Sequence, residues 1–310
     1  MSGSHYVAPF DEAEIDAARP TAPAKGGTLF SDAWLDLRRR PVFWVSVVLI
    51  ALILFVALFP GLLTSVPPNN GCQLANSNGA PVPGHPLGFT KQGCDVFSRI
   101  VHGAGTSLSV GLITTLLMAA LGIVFGALAG FYGGWLDSLL SRIGDIFFSI
   151  PYILAAVVIM SVLAKYSNVW VISLAIGIFA WPAMARVLRA EIFRVKNADF
   201  VMASEALGLS RFRILLGHVL PNSIAPVIVV TTISLAGSIV AEATLSFLGV
   251  GLPPSTMSWG NDISAAQVDL RTAPQVLLYP SIALSITVLS FILLGETVRE
   301  ALDPKARARR

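Results

Sequence analysis

The chain has 310 residues, of which 55% are hydrophobic and 13% are charged, and its formal net charge is +3. Its apolar residues gather in blocks of about twenty, the length that a helix needs to cross a bilayer. The sequence contains no Gly-x-x-x-x-Gly-Lys-Ser/Thr, His-Glu-x-x-His or Gly-x-Ser-x-Gly motif. It therefore shows no motif for ATP binding, for metal catalysis or for a serine nucleophile. The composition predicts a polytopic membrane protein.

The N-terminal part of the chain divides into two segments. Residues 1–28 are rich in Ala, Pro and Gly with clustered acids, which predicts a disordered arm. Residues 29–41 predict an amphipathic helix at the membrane surface, because apolar residues share one helical face and three arginines follow them. A plain charge cluster before the membrane is the alternative interpretation. The apolar face consists of Leu29, Phe30, Ala33, Trp34 and Leu37.

Six apolar segments are predicted to cross the membrane. Because the bilayer core contains no water to bond free amide groups, these segments must be helices. They form one membrane domain over residues 42–298, and residues 299–310 form a tail. The predicted spans are 42–63, 106–131, 143–163, 169–187, 224–248 and 276–294.

The distribution of lysine and arginine predicts the orientation of these spans. With the N-terminus inside, 17 of the 21 basic residues fall on the inner side, where insertion retains them. The outer segments, which include the loops 66–98 and 249–275, contain only four. Both termini are therefore predicted to be cytoplasmic. The four outer basic residues are Lys91, Arg99, Lys165 and Arg271.

The two cysteines, Cys72 and Cys94, both fall in the long outer loop. Thiols in an oxidising space tend to pair, so a disulfide is predicted. Closing a loop of about twenty residues would stabilise the fold by roughly 3 kcal/mol on the chain-entropy account. The alternative is two unpaired thiols that lie too far apart to bridge.

A polar, basic segment at residues 188–221 separates the fourth and fifth spans. Its apolar Val201, Leu207 and Leu209 are interspersed with polar and charged residues, which predicts a short amphipathic helix in the cytoplasm. Such a helix can pass on motion if a partner grips it. The alternative is an ordinary basic loop that only sets topology.

The spacing within this segment resembles a permease motif, Glu-Ala-Ala-x-x-x-Gly-x9-Ile-x-Leu-Pro, when aligned on Gly208 and on Leu220-Pro221. His218 takes the Ile position, as is usual in peptide permeases. On these residues the chain resembles the peptide/nickel family of ABC permeases, and within it the C-type subunit of dipeptide and oligopeptide transporters. Further stretches agree in the same order, among them 129–137, 242–249 and 258–260.

This resemblance implies an all-α type I importer permease with six spans and an N-terminal elbow helix. Such a chain lies in the bacterial plasma membrane, forms half of a peptide pathway and hydrolyses nothing itself. The implied partners are a homologous B-type permease, two ATP-binding domains on one chain or two, and an extracytoplasmic peptide-binding protein. No cofactor, metal or nucleic acid is implied. The alternative within the family is an importer of a nickel chelate or another small solute.

Two other classes of membrane protein fit less well. A passive channel would need no segment for an ATPase to grip, and an intramembrane enzyme would need a second catalytic group beside Glu242. The resemblance instead assigns the segment to contact with the ATPases. The coupling residues it implies are Met202, Ala203, Ser204, Glu205, Ala206, Gly208, Arg211, His218, Leu220, Pro221 and Asn222.

The chain departs from the family pattern at several positions. Met202 replaces the leading Glu of the motif, so its contact with the ATPase is lost or passes to Glu205, and Ser204 replaces an Ala. In the outer loop Cys94 stands where an Arg is usual, which supports the disulfide. Gly105 also replaces an Arg.

Two features within the spans have open interpretations. Gly122, Gly126 and Gly130 recur every four residues, which favours close helix packing, with a flexing element as the alternative. Placing the Glu242 carboxylate inside a membrane is energetically unfavourable, so this residue either lines the substrate path near the outer gate or forms a structural hydrogen bond. Arg142 and Asp145 are spaced as a helix-stabilising ion pair.

Overall fold

The computed structural model describes residues 29–302, and within this range it is helical and contains no β-sheet. The predicted arm 1–28 and residues 303–310 of the predicted tail lie outside the described residues. The helices in chain order are α1 Leu29–Leu37, α2 Pro41–Leu58, α3 Pro60–Leu63, α4 Val96–Tyr132, α5 Gly134–Ser149, α6 Tyr152–Val162, α7 Val169–Val195, α8 Asp199–Ala206, α9 Arg211–Ile214, α10 Leu220–Ser223, α11 Ala225–Phe247, α12 Trp259–Ala266 and α13 Pro274–Leu302.

Five of the described helices, α2, α4, α7, α11 and α13, are long and apolar enough to cross a membrane. A sixth crossing results if α5 and α6, which meet at 75°, count as one span. The predicted third span, 143–163, thus falls on α5 and α6 and is bent between them. Pro151 explains the break, because it lacks an amide hydrogen and holds Ile150 in an extended conformation.

Proline and capping residues also set the ends of the other spans. Pro60 separates α2 from the short α3, so the predicted span 42–63 is interrupted. α4 starts ten residues before its predicted span, because the Asp95 carboxylate accepts a hydrogen bond from the Ser98 amide at 2.6 Å. Its 37 residues make it about 55 Å long, which exceeds the bilayer core of about 30 Å.

α4 and α7 pack against each other through the three spaced glycines. A β-carbon on Gly126 would lie 2.7 Å from the Ala185 carbonyl oxygen, and one on Gly122 would lie 2.5 Å from the Met184 side chain. Gly130 approaches Ile192 in the same way, at 3.0 Å. These distances leave no room for a side chain, so the glycines allow the two backbones to approach closely.

α1 packs against the end of α13. Ala33 and Leu37 are buried in a cluster with Phe43 and Ala301, and Arg40 pairs with Asp36 at 2.7 Å and also with Glu300. Trp34 departs from the predicted apolar face, since it is half exposed and meets the Phe43 ring edge-on. The side chains of Leu29 and Phe30 lie outside the described ones. The last turn of α13 therefore holds α1 in place.

Three connecting segments meet on one side of the molecule, which we call the disulfide face. Cys72 and Cys94 are joined by a disulfide in the loop between α3 and α4. Asn69 of this loop donates a hydrogen bond to the Ser255 carbonyl oxygen at 3.0 Å, and Ser167 donates one to the Gly251 carbonyl oxygen at 2.7 Å. The connection between α7 and α11 lies on the side that we call the opposite face.

Candidate functional site

The connection between α7 and α11 begins with helix α8, which ends at a glycine turn. Gly208 has φ +78°, and its amide donates to the Glu205 carbonyl oxygen while that of Leu209 donates to Ser204. These two bonds form a Schellman motif, in which a left-handed residue closes the helix. A β-carbon on Gly208 would meet no atom within 4 Å, so backbone conformation rather than space explains the glycine.

The inner face of this connection is anchored in the main core. Val201, Ile214 and Val219 are buried in one cluster with Leu188 and Ile192 of α7. A π-helical turn at Leu215–Val219 precedes α10. Pro221 in the first turn of α10 has no amide hydrogen to donate to the preceding turn. The connection is thus a packed, rigid element rather than a free loop.

Its outer face is apolar and exposed. Met202 is 53% exposed and Leu207 81%, and the rings of Phe200 and Phe212 are exposed as well. Leu207 is exposed although Val201 is buried, because α8 ends at the Gly208 turn. An exposed apolar patch of this kind marks a contact surface. Glu205, Arg211 and Arg213 are exposed in the same connection.

The remaining predicted coupling residues are mostly exposed too. Ala203, Ala206, Pro221 and Asn222 are exposed, and the Asn222 side chain donates to the His218 carbonyl oxygen at 2.6 Å. His218 and Leu220 are half-buried. Ser204 is buried and its hydroxyl donates to the Phe200 carbonyl oxygen. Ser204 therefore faces the body of the protein.

Ion pairs and hydrogen bonds fix the base of this element to α4 and α5. Arg189 pairs with Asp137 at 2.6 Å, and the Lys196 ammonium donates to the Gly130 carbonyl oxygen at 2.8 Å. Burial lowers the pKa of Lys196. Asp145 pairs with Arg186 of α7 at 2.8 Å, so the predicted pairing of Asp145 with Arg142 is wrong. A contact between helices replaces the pairing within one helix.

Glu242 lies at the junction of α4, α11 and α12 and is fully buried. Its carboxylate accepts hydrogen bonds from the hydroxyls of Ser246 and Ser258, both at 3.0 Å, and from that of Ser107 at 3.3 Å. The arrangement matches the structural alternative, since a group with no exposure does not line an open path. The contact with Ser246 follows from the helical spacing of four residues, but no spacing rule brings Ser107 and Ser258 to Glu242.

A cavity of about 400 Å³ lies where α4, the bend between α5 and α6, α7 and α11 meet. Sequence reasoning missed it, because the bend at Pro151 creates it. Hydroxyl groups of Tyr152, Ser234 and Ser238 interrupt an otherwise apolar wall, and no charged residue lines it. The other lining residues are Met118, Phe148, Ile150, Pro151, Ile176, Phe179, Ala180, Ala183 and Gly237.

Comparison with known proteins identifies the architecture. Residues 122–308 match the family model "Binding-protein-dependent transport system inner membrane component", and residues 28–81 match "N-terminal TM domain of oligopeptide transport permease C". The chain is 35% identical over 296 residues to a glutathione transport system permease protein, GsiD, from Escherichia coli strain 536, covering 96% of this chain and 97% of the relative. A GsiD protein from Shigella boydii is 35% identical over the same shares of both chains.

A solved structure supports the same fold. An inward-facing form of the MetNI methionine ABC transporter superposes with a TM-score of 0.55 at 19% identity, over 66% of this chain and 96% of that chain. At this identity the likeness concerns the fold alone, which is that of a type I ABC importer permease. The chain belongs to the binding-protein-dependent transport system inner membrane components, and it is a C-type permease subunit of an ABC importer of the peptide/nickel family.

Proposed function

We propose that this permease forms half of an import pathway for short peptides. The observation that carries the proposal is the match over nearly the whole chain to a permease whose name gives glutathione, a peptide, as its substrate. The N-terminal match to oligopeptide transport permease C points the same way. In this pathway the chain pairs with a homologous permease and receives peptide from an extracytoplasmic binding protein.

The orientation of the chain follows from its charges. The disulfide face is extracytoplasmic, because few basic residues lie there and its two cysteines are paired. The opposite face, with both termini, is cytoplasmic. The connection between α7 and α11 then projects toward the ATPases.

Coupling depends on the exposed apolar patch of that connection. Met202, Leu207 and Phe212 enter a groove on an ATPase, while Glu205 and Arg211 pair with charges around it. Because Val201 and Ile214 anchor the connection to α7, movement of the ATPase tilts α7. The tilt reaches α4 through the contact of Gly122, Gly126 and Gly130 with α7, where the two backbones are too close to slide independently.

The cavity beside Tyr152 is the section of the peptide path that this chain supplies. Its hydroxyls offer hydrogen bonds to peptide groups, and its lack of charge avoids holding a peptide terminus tightly. Weak contacts of this kind suit a path that must release what it admits. Glu242 contributes stability to the outer end of the path rather than a substrate contact.

The test is uptake by proteoliposomes that contain the full complex of this chain, the partner permease, the ATPases and the binding protein. We expect ATP-dependent uptake of a labelled dipeptide or of glutathione. Vesicles with ATP but no binding protein, and vesicles with a non-hydrolysable ATP analogue, should show none. Uptake of nickel chelate without uptake of either peptide would overturn the proposal.

A further inference from the structure

A second cavity, of about 610 Å³, lies on the disulfide face between the loop 66–98 and the segment 249–275. Gln92 and Ala265 line it and are exposed, so the cavity opens to solvent. Asp262 of α12 and Asp269 just beyond it also line the cavity. Its volume is within the range of sites for small molecules. The proposed peptide path does not include it.

Both carboxylates in this cavity have an unused oxygen. The Oδ1 atom of Asp262 accepts a hydrogen bond from Nε of Arg99 at 2.7 Å, but its Oδ2 atom is buried without a donor. The Oδ2 atom of Asp269 is also buried without a donor. Only four such side-chain atoms occur within residues 29–302, and two of them belong to this cavity. A buried acceptor without a donor is unfavourable, so the cavity is suited to a ligand that brings N–H groups.

Burial and charge further define the ligand. The Asp262 side chain is only 8% exposed, and burial raises the pKa of its carboxyl while Arg99 opposes that effect. Asp269 is held more loosely. Its partner Lys91 approaches Oδ1 only to 3.6 Å, and the Lys91 side chain is 53% exposed. Because Lys91 is half exposed and makes only this long contact, an incoming cation can displace it from Asp269.

We propose that this cavity is a binding site for a primary ammonium group, which pairs with Asp269 beside the buried Asp262 while Lys91 swings into solvent. In the resting protein Lys91 acts as a built-in competitor for the same acid. The amine belongs either to a peptide leaving its binding protein or to a lysine of the binding protein itself. The choice of these two sources rests on the proposed peptide import. The binding of an ammonium group in this cavity does not rest on it.

The site can be tested by charge-selective labelling, which does not require transport. The two natural cysteines are bonded, so Ser264→Cys, which replaces a residue lining the cavity, introduces the single free thiol of the chain. In the assembled complex we would compare its rates of reaction with aminoethyl methanethiosulfonate, a cation, and sulfonatoethyl methanethiosulfonate, an anion. Val268→Cys is the control, because Val268 is exposed nearby but does not line the cavity.

The ratio of cation to anion rates should be higher at Ser264→Cys than at the control position. We expect Asp269→Asn to lower this ratio about fivefold, the effect of one partly screened charge, and Lys91→Gln to raise it by a similar factor. Lys165→Gln is the matched control, since it removes a lysine from the same face without touching the cavity. An unchanged ratio in Asp269→Asn would overturn the proposal.

Protection experiments then distinguish the two sources of the amine. If the peptide supplies it, millimolar Ala-Ala slows labelling of Ser264→Cys and N-acetyl-Ala-Ala does not. If the binding protein supplies it, that protein without peptide slows labelling, and acetylation of its lysines abolishes the effect. The proposal is also overturned if neither source protects the thiol. Because labelling is independent of uptake, failure here and failure of peptide import give different results.

Discussion

Met202 and Glu205 lie about one turn apart on α8, and both side chains are exposed. The sequence identifies Met202 as a departure from the family motif, in which a carboxylate stands at this position. The structure adds that Leu207 and Phe212 are exposed in the same connection. Contact with an ATPase would therefore rest on burial of apolar groups more than on one ion pair.

This difference gives the first prediction. Met202→Ala should reduce peptide-stimulated ATP hydrolysis in the reconstituted complex more than Glu205→Gln does. Loss of a buried apolar anchor typically costs about 2 kcal/mol, whereas an exposed ion pair is worth at most about 1 kcal/mol. Leu74→Ala, an exposed apolar residue on the disulfide face, should leave the rate unchanged. A larger loss in Glu205→Gln would contradict this prediction. It would mean that the ion pair made by the family's Glu at position 202 is made here by Glu205, one turn further along α8.

Glu242 gives a second prediction at the same scale. Glu242→Gln keeps an acceptor for the surrounding serine hydroxyls, while Glu242→Leu removes it and leaves three buried donors without an acceptor. Each unsatisfied group costs about 1–3 kcal/mol, so the thermal midpoint of the purified complex should fall further in Glu242→Leu. A path-lining role would instead predict equal stability and a loss of uptake in both variants.

At the scale of elements, the connection between α7 and α11 is defined by one glycine turn. Gly208 reverses the chain after α8 and so exposes Leu207 while Val201 stays buried. The pairs Arg189–Asp137 and Arg186–Asp145 join α7 to α5 beneath this connection. The shape of the contact surface therefore depends on a backbone conformation that L-residues rarely adopt.

The third prediction tests this turn. Gly208→Ala should weaken coupling between ATP hydrolysis and uptake, because a left-handed conformation costs an L-residue about 1–2 kcal/mol. Gly208→Asn should retain more activity, since asparagine tolerates that region. The chain should still insert in the membrane in both variants.

Gly217→Ala is the matched control for this prediction. Gly217 lies in the same connection, its φ is not positive, and a β-carbon there would meet no atom within 4 Å. This variant should behave as the natural protein does. Equal losses in Gly208→Ala and Gly217→Ala would show that the φ of Gly208 does not matter, and that any added side chain disturbs the surface.

At the scale of the whole molecule, the two faces are built differently. The disulfide face is held by a covalent bond, by hydrogen bonds between loops and by the Arg99–Asp262 pair. The opposite face is held by ion pairs between helices and by apolar packing of the connection. A bond between cysteines is stable only in an oxidising space, which fits one face outside the cell.

The fourth prediction concerns this disulfide. A membrane-impermeant thiol reagent applied to intact cells should label the chain only after reduction. Cys72→Ser should leave Cys94 reactive and lower stability by roughly 3 kcal/mol if the loop closure acts through chain entropy. Equal labelling before and after reduction would show that the two cysteines are not bonded in the cell. Labelling that requires permeabilised cells would reverse the proposed orientation.

The family, the six apolar segments and the position of the polar segment between the fourth and fifth spans could be predicted from the sequence, because each is a local pattern. Three patterns are visible without knowledge of the fold: the length of the hydrophobic runs, the basic residues near span ends and the spacing from Gly208 to Pro221. The glycine spacing in α4 is also local, since residues four apart share one helical face.

The tertiary structure alone decided which distant residues meet. The hydroxyls of Ser107 and Ser258 reach Glu242 from other parts of the chain, Asp145 pairs with Arg186 instead of its neighbour Arg142, and Asp262 shares a cavity with Lys91. Unlike the Ser246 contact with Glu242, which joins residues four apart on α11, these contacts have no sequence period, because each joins separate elements whose angle is set by packing. The bend at Pro151 is the clearest case: proline predicts a break, but only packing fixes its 75° and the cavity it opens.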